Sequence, residues 1–89
     1  MTQTSELQLK VWIEDVWDTV HIAASPDWSV GRVKEAALRA AIGNSADPAD
    51  YQVKFKGALV LDERNSLSQL HVPHMAPLAV LSSLRRPVR

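Results

Sequence analysis

The sequence contains no cysteine among its 89 residues. Disulfides, thiolate nucleophiles, iron–sulfur clusters and cysteine-ligated zinc are therefore excluded together. No apolar run approaches the roughly 20 residues that cross a bilayer. The N-terminal MTQTSELQ also lacks the basic segment and the apolar run of a secretion signal. We therefore expect a cytoplasmic protein that does not insert into a membrane.

An excess of charge of one sign is also missing, because ten Lys and Arg balance ten Asp and Glu. No overall field would draw the chain to nucleic acid or to anionic lipid. The charges are unevenly divided, since residues 1–50 are net acidic and residues 51–89 are net basic. This division either brings the two parts of the chain together or creates a two-signed surface for a partner.

The apolar content of 46% is typical of a globular chain. A chain of this length buries roughly 60% of its unfolded surface, enough for one small core. We expect a single domain at residues 7–84, preceded by a flexible leader at residues 1–6 and followed by a basic, flexible tail at residues 85–89. A monomer is expected.

The segment from Trp28 to Gly43 is predicted to form an amphipathic helix. Ser29 can cap its first turn through the hydroxyl, and Trp28 can pack beside that cap. Gly43 can end the helix in the left-handed conformation. Four apolar residues recur at the spacing of one helical face: Val30, Val33, Ala37 and Ala41. That face requires a sheet to cover it.

Alternation of apolar and polar residues predicts the strands of this sheet. Residues 7–13 and 19–23 form a hairpin, a third strand begins at Tyr51 and ends at Gly57, residues 58–61 form a short fourth, and residues 77–84 form the last. Ser66 is expected to cap a single helical turn at residues 67–70. The residues expected to cover the helix are Leu9, Val11, Val20, Ile22, Val53, Phe55, Leu78 and Val80.

The order of these elements and four short segments resemble the ubiquitin-like β-grasp family. The segments are Pro-x-x-Ser at residues 26–29, VKFKG at 53–57, SLSQLHV at 66–72 and PLAVLSSLRR at 77–86. The resemblance implies an α+β fold in which a mixed sheet of four to five strands packs on one α-helix, with a short 3-10 turn. It also implies a partly buried Lys34, ion-paired with Asp62 or Glu63. In size and plan the chain is similar to the small ubiquitin-like proteins encoded with bacterial type VII secretion systems.

The chain departs from the family pattern in two places. Conjugated members and the related sulfur carriers end in Gly-Gly, where this chain has Arg86 and Pro87. Because proline restricts its own backbone and that of its neighbour, we expect the chain to be neither conjugated nor thiocarboxylated. Lys54 stands where the recognition patch of ubiquitin has an isoleucine. Receptors that bury that isoleucine should bind poorly, since an unpaired charge is costly to desolvate.

The outer face of the sheet is the predicted docking surface. Its apolar members are Trp12, Trp17 and Leu81, and its basic members are Lys10, Lys54 and Lys56. This composition suits a partner with an acidic rim and an apolar pocket. Trp12 and Trp17 are either contact residues or are shielded by a loop or by the tail.

Signatures of catalysis are missing from the sequence. No serine lies in a nucleophile elbow, no glycine-rich loop cradles phosphate, and no carboxylate pair has a recognisable acid–base setting. His71 and His74 have a His-x-x-His spacing, but Pro73 lies between them and no carboxylate is near in sequence. We therefore expect neither an enzyme nor a bound metal or cofactor.

We predict a non-catalytic protein–protein interaction module that is not conjugated to targets. One alternative is a degenerate sulfur carrier or protein modifier that an activating enzyme still recognises. A second alternative is weak nucleic-acid binding through the lysine face and the basic tail, which contains Arg85, Arg86 and Arg89.

Overall fold

A computed structural model describes residues 6–43 and 47–82 of the chain. These residues form β1 (Leu7–Ile13), β2 (Asp18–Ala24), α1 (Val30–Ala41), β3 (Tyr51–Phe55), β4 (Ala58–Leu59) and β5 (Pro77–Ser82), with 3-10 turns at Glu14–Val16 and Pro48–Asp50. The leader and tail that the sequence predicts lie, apart from Glu6, outside the described residues.

The strands form one mixed sheet in the order β2-β1-β5-β3-β4. β1 is antiparallel to β2 and parallel to β5, whereas β3 is antiparallel to both β5 and β4. Two parallel strands cannot be joined by a tight turn, so β1 and β5 have to be linked by a longer crossover connection. Helix α1 lies in that connection. The architecture confirms the predicted α+β β-grasp.

The inner face of the sheet carries the residues that alternation assigned to it. In the β1–β2 hairpin, Leu9 pairs with Ile22 and Val11 pairs with Val20. Val20 and Phe55 are half-buried against the core. The other predicted members are buried: Leu9, Val11, Ile22, Val53, Leu78 and Val80. One hydrophobic layer therefore forms between the sheet and the helix.

Helix α1 packs on this layer with the predicted face. Val30, Val33 and Ala37 are buried. The Ser29 hydroxyl accepts a hydrogen bond from the backbone N–H of Arg32 at 3.1 Å. At the other end Gly43 has a φ of 98°, the left-handed conformation that the sequence predicts there. Both helix ends are thus set by local sequence signals.

Trp28 packs against the core beside the start of α1. The guanidinium carbon of Arg32 lies 4.3 Å from the centroid of its ring, within the range of a cation–π contact. This contact adds to the structural role that the sequence predicts for Trp28.

Four elements differ from the sequence prediction. β3 ends at Phe55, two residues before the predicted end at Gly57. β2 is one residue longer at each end, because Asp18 pairs with Ile13 and Ala24 pairs with Leu7. β4 is shorter and ends at Leu59. The predicted helical turn at residues 67–70 is a hydrogen-bonded turn, whereas the 3-10 turns lie at Glu14–Val16 and Pro48–Asp50.

Ser66 caps the turn at residues 67–70 as predicted, and Gln69 completes a reciprocal pair. The Ser66 hydroxyl accepts from the Gln69 N–H at 3.1 Å, and the Gln69 side-chain oxygen accepts from the Ser66 N–H at 2.8 Å. This is the arrangement of a capping box. The segment leading from here to β5 adds buried residues that alternation did not foresee: Leu67, Val72 and Ala76.

Lys34 is a buried charge on α1, only 5% exposed. Its Nζ lies 2.5 Å from Glu63 Oε1 and donates to the Tyr51 carbonyl at 2.9 Å. Of the two predicted partners, Glu63 is the one that pairs. The same loop also satisfies the start of the helix, because the Gly31 N–H donates to the Glu63 carbonyl at 2.9 Å. The Val30 N–H donates to the Asn65 carbonyl of the same loop at 2.9 Å, so the loop is bound to α1 at three points.

Candidate protein-docking surface

Strand register brings most of the predicted docking residues onto one face. One row crosses the whole sheet and consists of Thr19, Trp12, Ala79, Lys54 and Leu59. In the neighbouring rows, Lys10 pairs with Pro77 and Leu81 pairs with Gln52. Paired residues point to the same side of a sheet. The surface opposite α1 therefore holds Lys10, Trp12, Lys54 and Leu81, with both lysines exposed and Trp12 and Leu81 half-buried.

Trp17 lies at the edge of this surface, in the turn between β1 and β2. Its side chain is 78% exposed. Its ring meets that of Trp12 edge to face, with centroids 5.5 Å apart and planes at 87°. Such a contact contributes roughly 0.5–1.5 kcal/mol beyond the burial of area. No loop in the described part of the chain covers Trp17, so the exposed Trp17 and the half-buried Trp12 form one aromatic pair that is open to solvent on the Trp17 side.

The turn that presents Trp17 is held by a contact from β3. Trp17 follows the 3-10 turn with a φ of 51°, and its N–H donates to the Glu14 carbonyl at 3.2 Å. A bulky residue occupies this left-handed region only when its surroundings compensate the strain. The Tyr51 hydroxyl supplies such a contact by donating to Asp15 Oδ2 at 2.7 Å. Sequence analysis missed this pair, since no local pattern links residues so far apart.

Trp12 also borders a depression of about 320 Å³ in the outer face. The volume is at the lower end of the roughly 300–1,000 Å³ of ligand pockets. Its lining residues are Trp12, Lys54, Lys56, Gly57, Pro77, Leu78 and Ala79. The lining is apolar apart from the two lysines. The depression can therefore accept one apolar side chain with a charged neighbour.

The β3–β4 turn places Lys56 beside this depression. Lys56 and Gly57 have φ values of 57° and 81°, the two positive values of a type I′ hairpin turn. The Lys56 ammonium lies 5.5 Å from the centroid of the Phe55 ring. The sequence predicts Gly57 as the strand end, but it does not indicate that the turn brings Gly57 to the depression that Pro77 also lines.

The outer face carries charge of both signs along the direction of β1. Lys10, the fourth of the seven residues of β1, lies in the row of Pro77, which lines the depression together with Lys56. The turn that follows the C-terminal end of β1 exposes the carboxylates of Glu14, Asp15 and Asp18. The aromatic pair of Trp12 and Trp17 lies next to that acidic turn. Along the strand direction, the candidate docking surface therefore has positive charge on one side of the aromatic pair and negative charge on the other.

A second apolar groove, of about 340 Å³, lies at the β4 edge of the sheet. Leu61 borders it and is 87% exposed, although the sequence had suggested that it ends a strand. Nearby, the Arg64 guanidinium is hydrogen-bonded to Asp62 and holds the pKa of that carboxyl below its usual 3.8. Both residues of this ion pair are exposed to solvent.

The remaining sequence candidates do not converge on a chemical site. His21 is exposed on β2, and His71 and His74 are also exposed. His74 Nδ1 accepts a hydrogen bond from the Gln8 N–H at 3.2 Å. Residues 6–43 and 47–82 contain no group of three or more His, Asp or Glu that could hold a metal ion. The helices in the same ranges are too short or too polar to cross a membrane.

No protein-family model matches the sequence, and no curated protein matches it. Solved structures do match. The chain is similar to a ubiquitin from Caldiarchaeum subterraneum, with a TM-score of 0.76 at 15% identity over 94% of this chain and 98% of that one. It is also similar to the ubiquitin-like domain of an Arabidopsis thaliana protein, solved by NMR, with a TM-score of 0.75 at 10% identity over 100% of this chain and 89% of that one. Likeness at these identities concerns the fold alone.

Proposed function

From the ubiquitin-like β-grasp fold of this chain, we propose that it is a non-catalytic module that binds another protein through the outer face of its sheet. One observation carries this proposal: the outer face exposes an aromatic pair next to a depression bordered by lysines. The residues that make the contact are Lys10, Trp12, Trp17, Lys54, Lys56 and Leu81. Cytoplasmic location and a likeness to the bacterial type VII secretion proteins stay predictions.

The aromatic pair supplies the apolar part of the interface. Trp and Tyr are enriched among the few residues that carry most of the binding energy in protein complexes. An indole that is 78% exposed, as that of Trp17 is, loses much water-accessible area when a partner covers it. The Asp15–Tyr51 hydrogen bond supports this role, because a fixed turn loses little conformational freedom on binding.

The lysines determine which partners fit. Lys54 lies in the central row of the face, between Ala79 and Leu59. A partner that covers this row with neutral groups alone would desolvate the ammonium without compensation. Charges at the edge, such as Lys10 and Lys56, contribute more to orientation and association rate than to affinity. The partner therefore carries negative charge opposite Lys54, unlike a receptor that buries an apolar residue at this central position.

Nucleic acid is a weaker candidate for this face. Its phosphates would meet Lys10, Lys54 and Lys56 at one end, but they would meet the carboxylates of the Glu14–Asp18 turn at the other. A backbone that carries one negative charge per nucleotide cannot avoid that turn while it stacks on Trp17. The mixed charge of the surface favours a protein, which can present charge at selected positions.

Capture of the native partner, followed by calorimetry with the purified partner, tests the docking face. The double variant Trp12→Ala/Lys54→Glu should weaken binding at least about 30-fold, because the loss of a central aromatic anchor alone costs about 2 kcal/mol or more. Leu61→Ser is the matched control, since it removes an exposed apolar side chain at the β4 edge and should leave binding unchanged. Circular dichroism checks that both variants fold. Unaltered binding by the double variant would reject this face.

A second assay addresses conjugation. The full chain is incubated with an activating enzyme, ATP and sulfide as the sulfur donor, and its mass is then measured. We expect no acyl-adenylate and no thiocarboxylate, because Arg86 and Pro87 occupy the positions of the family's Gly-Gly. Formation of either product would support the sulfur-carrier or modifier alternative instead.

A further inference from the structure

The depression beside Trp12 combines an apolar lining with uncompensated positive charge. Lys54 and Lys56 line it, and Lys10 pairs in register with Pro77 of the same lining. Within residues 6–43 and 47–82, the ion pairs are Lys34–Glu63 and Arg64–Asp62, so none of these three lysines is paired with a carboxylate. An apolar depression bordered by lysines that have no carboxylate partner among the described residues is complementary to an apolar side chain flanked by carboxylates.

Desolvation makes this complementarity a requirement. Any segment that fills the depression lies against Lys54, which is exposed in the unbound chain. Covering an ammonium group without a hydrogen-bonding anion is costly, whereas a carboxylate placed on it restores the lost solvation. An occupant without acidic residues would therefore lose much of the free energy that it gains by burying its apolar side chain.

The volume and the surrounding charges limit what the occupant can be. About 320 Å³ accommodates one large side chain rather than a broad apolar face. The acidic turn with Glu14, Asp15 and Asp18 follows the C-terminal end of β1, beyond Trp12 as seen from Lys10, and repels further negative charge. Acidic residues of the occupant must accordingly lie over the lysine end, away from Trp17.

Resting on the proposed function, we propose that the partner presents a linear acidic segment, one apolar side chain of which enters the depression beside Trp12. Carboxylates next to that side chain pair with Lys54 and Lys56, and a further carboxylate reaches Lys10. The part of the segment that continues toward Trp17 is neutral or basic. The charge pattern along the outer face thus selects both the composition and the direction of the bound segment.

A phage-displayed library of random linear peptides, selected on the immobilised full chain, tests this composition. We expect the enriched peptides to share one large apolar residue flanked by Asp or Glu. A synthetic peptide of the consensus should bind about tenfold or more weakly to Lys54→Glu, and selection on that variant should enrich Lys and Arg at the flanking positions. Arg39→Glu is the matched control, because it makes the same charge change on the exposed side of α1. The consensus peptide should bind this variant as it binds the wild type.

The other outcomes separate this inference from the proposed function. Enriched peptides without acidic residues, whose binding still depends on Trp12, would overturn the acidic segment and leave the docking face intact. Acidic peptides that bind equally well to Trp12→Ala and Lys54→Glu would place the contact elsewhere and overturn both. Failure to enrich any peptide would overturn a linear occupant. Binding of single-stranded oligo-dT that is lost in Lys54→Glu would assign the face to nucleic acid.

Discussion

Replacement of Lys34 by Met measures what the buried ion pair contributes to the stability of the fold. The Lys34 ammonium joins α1 to Glu63 at 2.5 Å and to the Tyr51 carbonyl at 2.9 Å. Methionine keeps much of the side-chain volume but removes the charge. The Glu63 carboxylate then stays at the helix surface, 25% exposed, without the cation that compensates it.

The expected cost follows from this partial exposure. Removing one partner of a fully buried ion pair costs roughly 3–5 kcal/mol, and losing a hydrogen bond to a charged group costs about 1.5–3 kcal/mol. Because water still reaches part of Glu63, we expect Lys34→Met to lower the free energy of unfolding by about 2 kcal/mol, which lies within the lower of these two ranges. Against a typical total of about 5–15 kcal/mol, this is a large loss.

Urea unfolding, monitored by tryptophan fluorescence, gives the free energy of unfolding of four proteins. These are the wild type, Lys34→Met, Glu63→Gln and the double variant. The cycle isolates the coupling between the two side chains, which we expect to be about 1–2 kcal/mol. Arg64→Met is the control, since it breaks an ion pair that is exposed on both sides and should change stability little. A coupling below about 0.5 kcal/mol, the limit of additivity, would refute a stabilising role for the buried pair.

Two further predictions concern the β3–β4 turn and the exposed ion pair. Gly57→Ala should lower the free energy of unfolding by about 1–2 kcal/mol, because a residue with a Cβ is strained at a φ of 81°. The added Cβ itself would meet no atom within 4 Å, so the loss comes from the backbone conformation alone. Unchanged stability would contradict the type I′ geometry. In an NMR titration the pKa of Asp62 should lie below 3.8 and should rise in Arg64→Ala, which removes the guanidinium but keeps the backbone N–H that donates to the same carboxylate. The contribution of this pair to stability is present above pH 3.8 and is lost as the pH falls through the depressed pKa; an Asp62 titration that Arg64→Ala leaves unchanged would contradict the contact.

Strand alternation predicted the two faces of the sheet well because the side-chain period of a strand is two residues. Val11 and Trp12 are neighbours in sequence, and they lie on opposite sides of β1, one buried and one half-exposed. The β2 boundaries were less accurate. Whether Asp18 and Ala24 belong to the strand depends on pairing with β1, which local sequence does not specify.

The candidate docking surface was predictable only in part. Alternation placed Lys10, Trp12, Lys54 and Leu81 on the outer face, and the strand register agrees. The depression could not be predicted, because its lining comes from three strands and a turn that meet only after the sheet forms. The exposed aromatic pair likewise depends on a turn conformation in which Trp17 has a positive φ.

By itself the sequence determined which residues of the strands and of α1 face inward, where α1 begins and ends, and the order of elements that produces a β-grasp. These properties depend on periodicity, capping and turn residues, all of which act within a few positions of the chain. Only the tertiary structure decided that Lys34 pairs with Glu63 rather than Asp62, that Tyr51 holds the Asp15 turn, and that lysines surround an apolar depression. Each of these contacts joins residues that are distant in sequence, and their distances are set by the packing of helix on sheet.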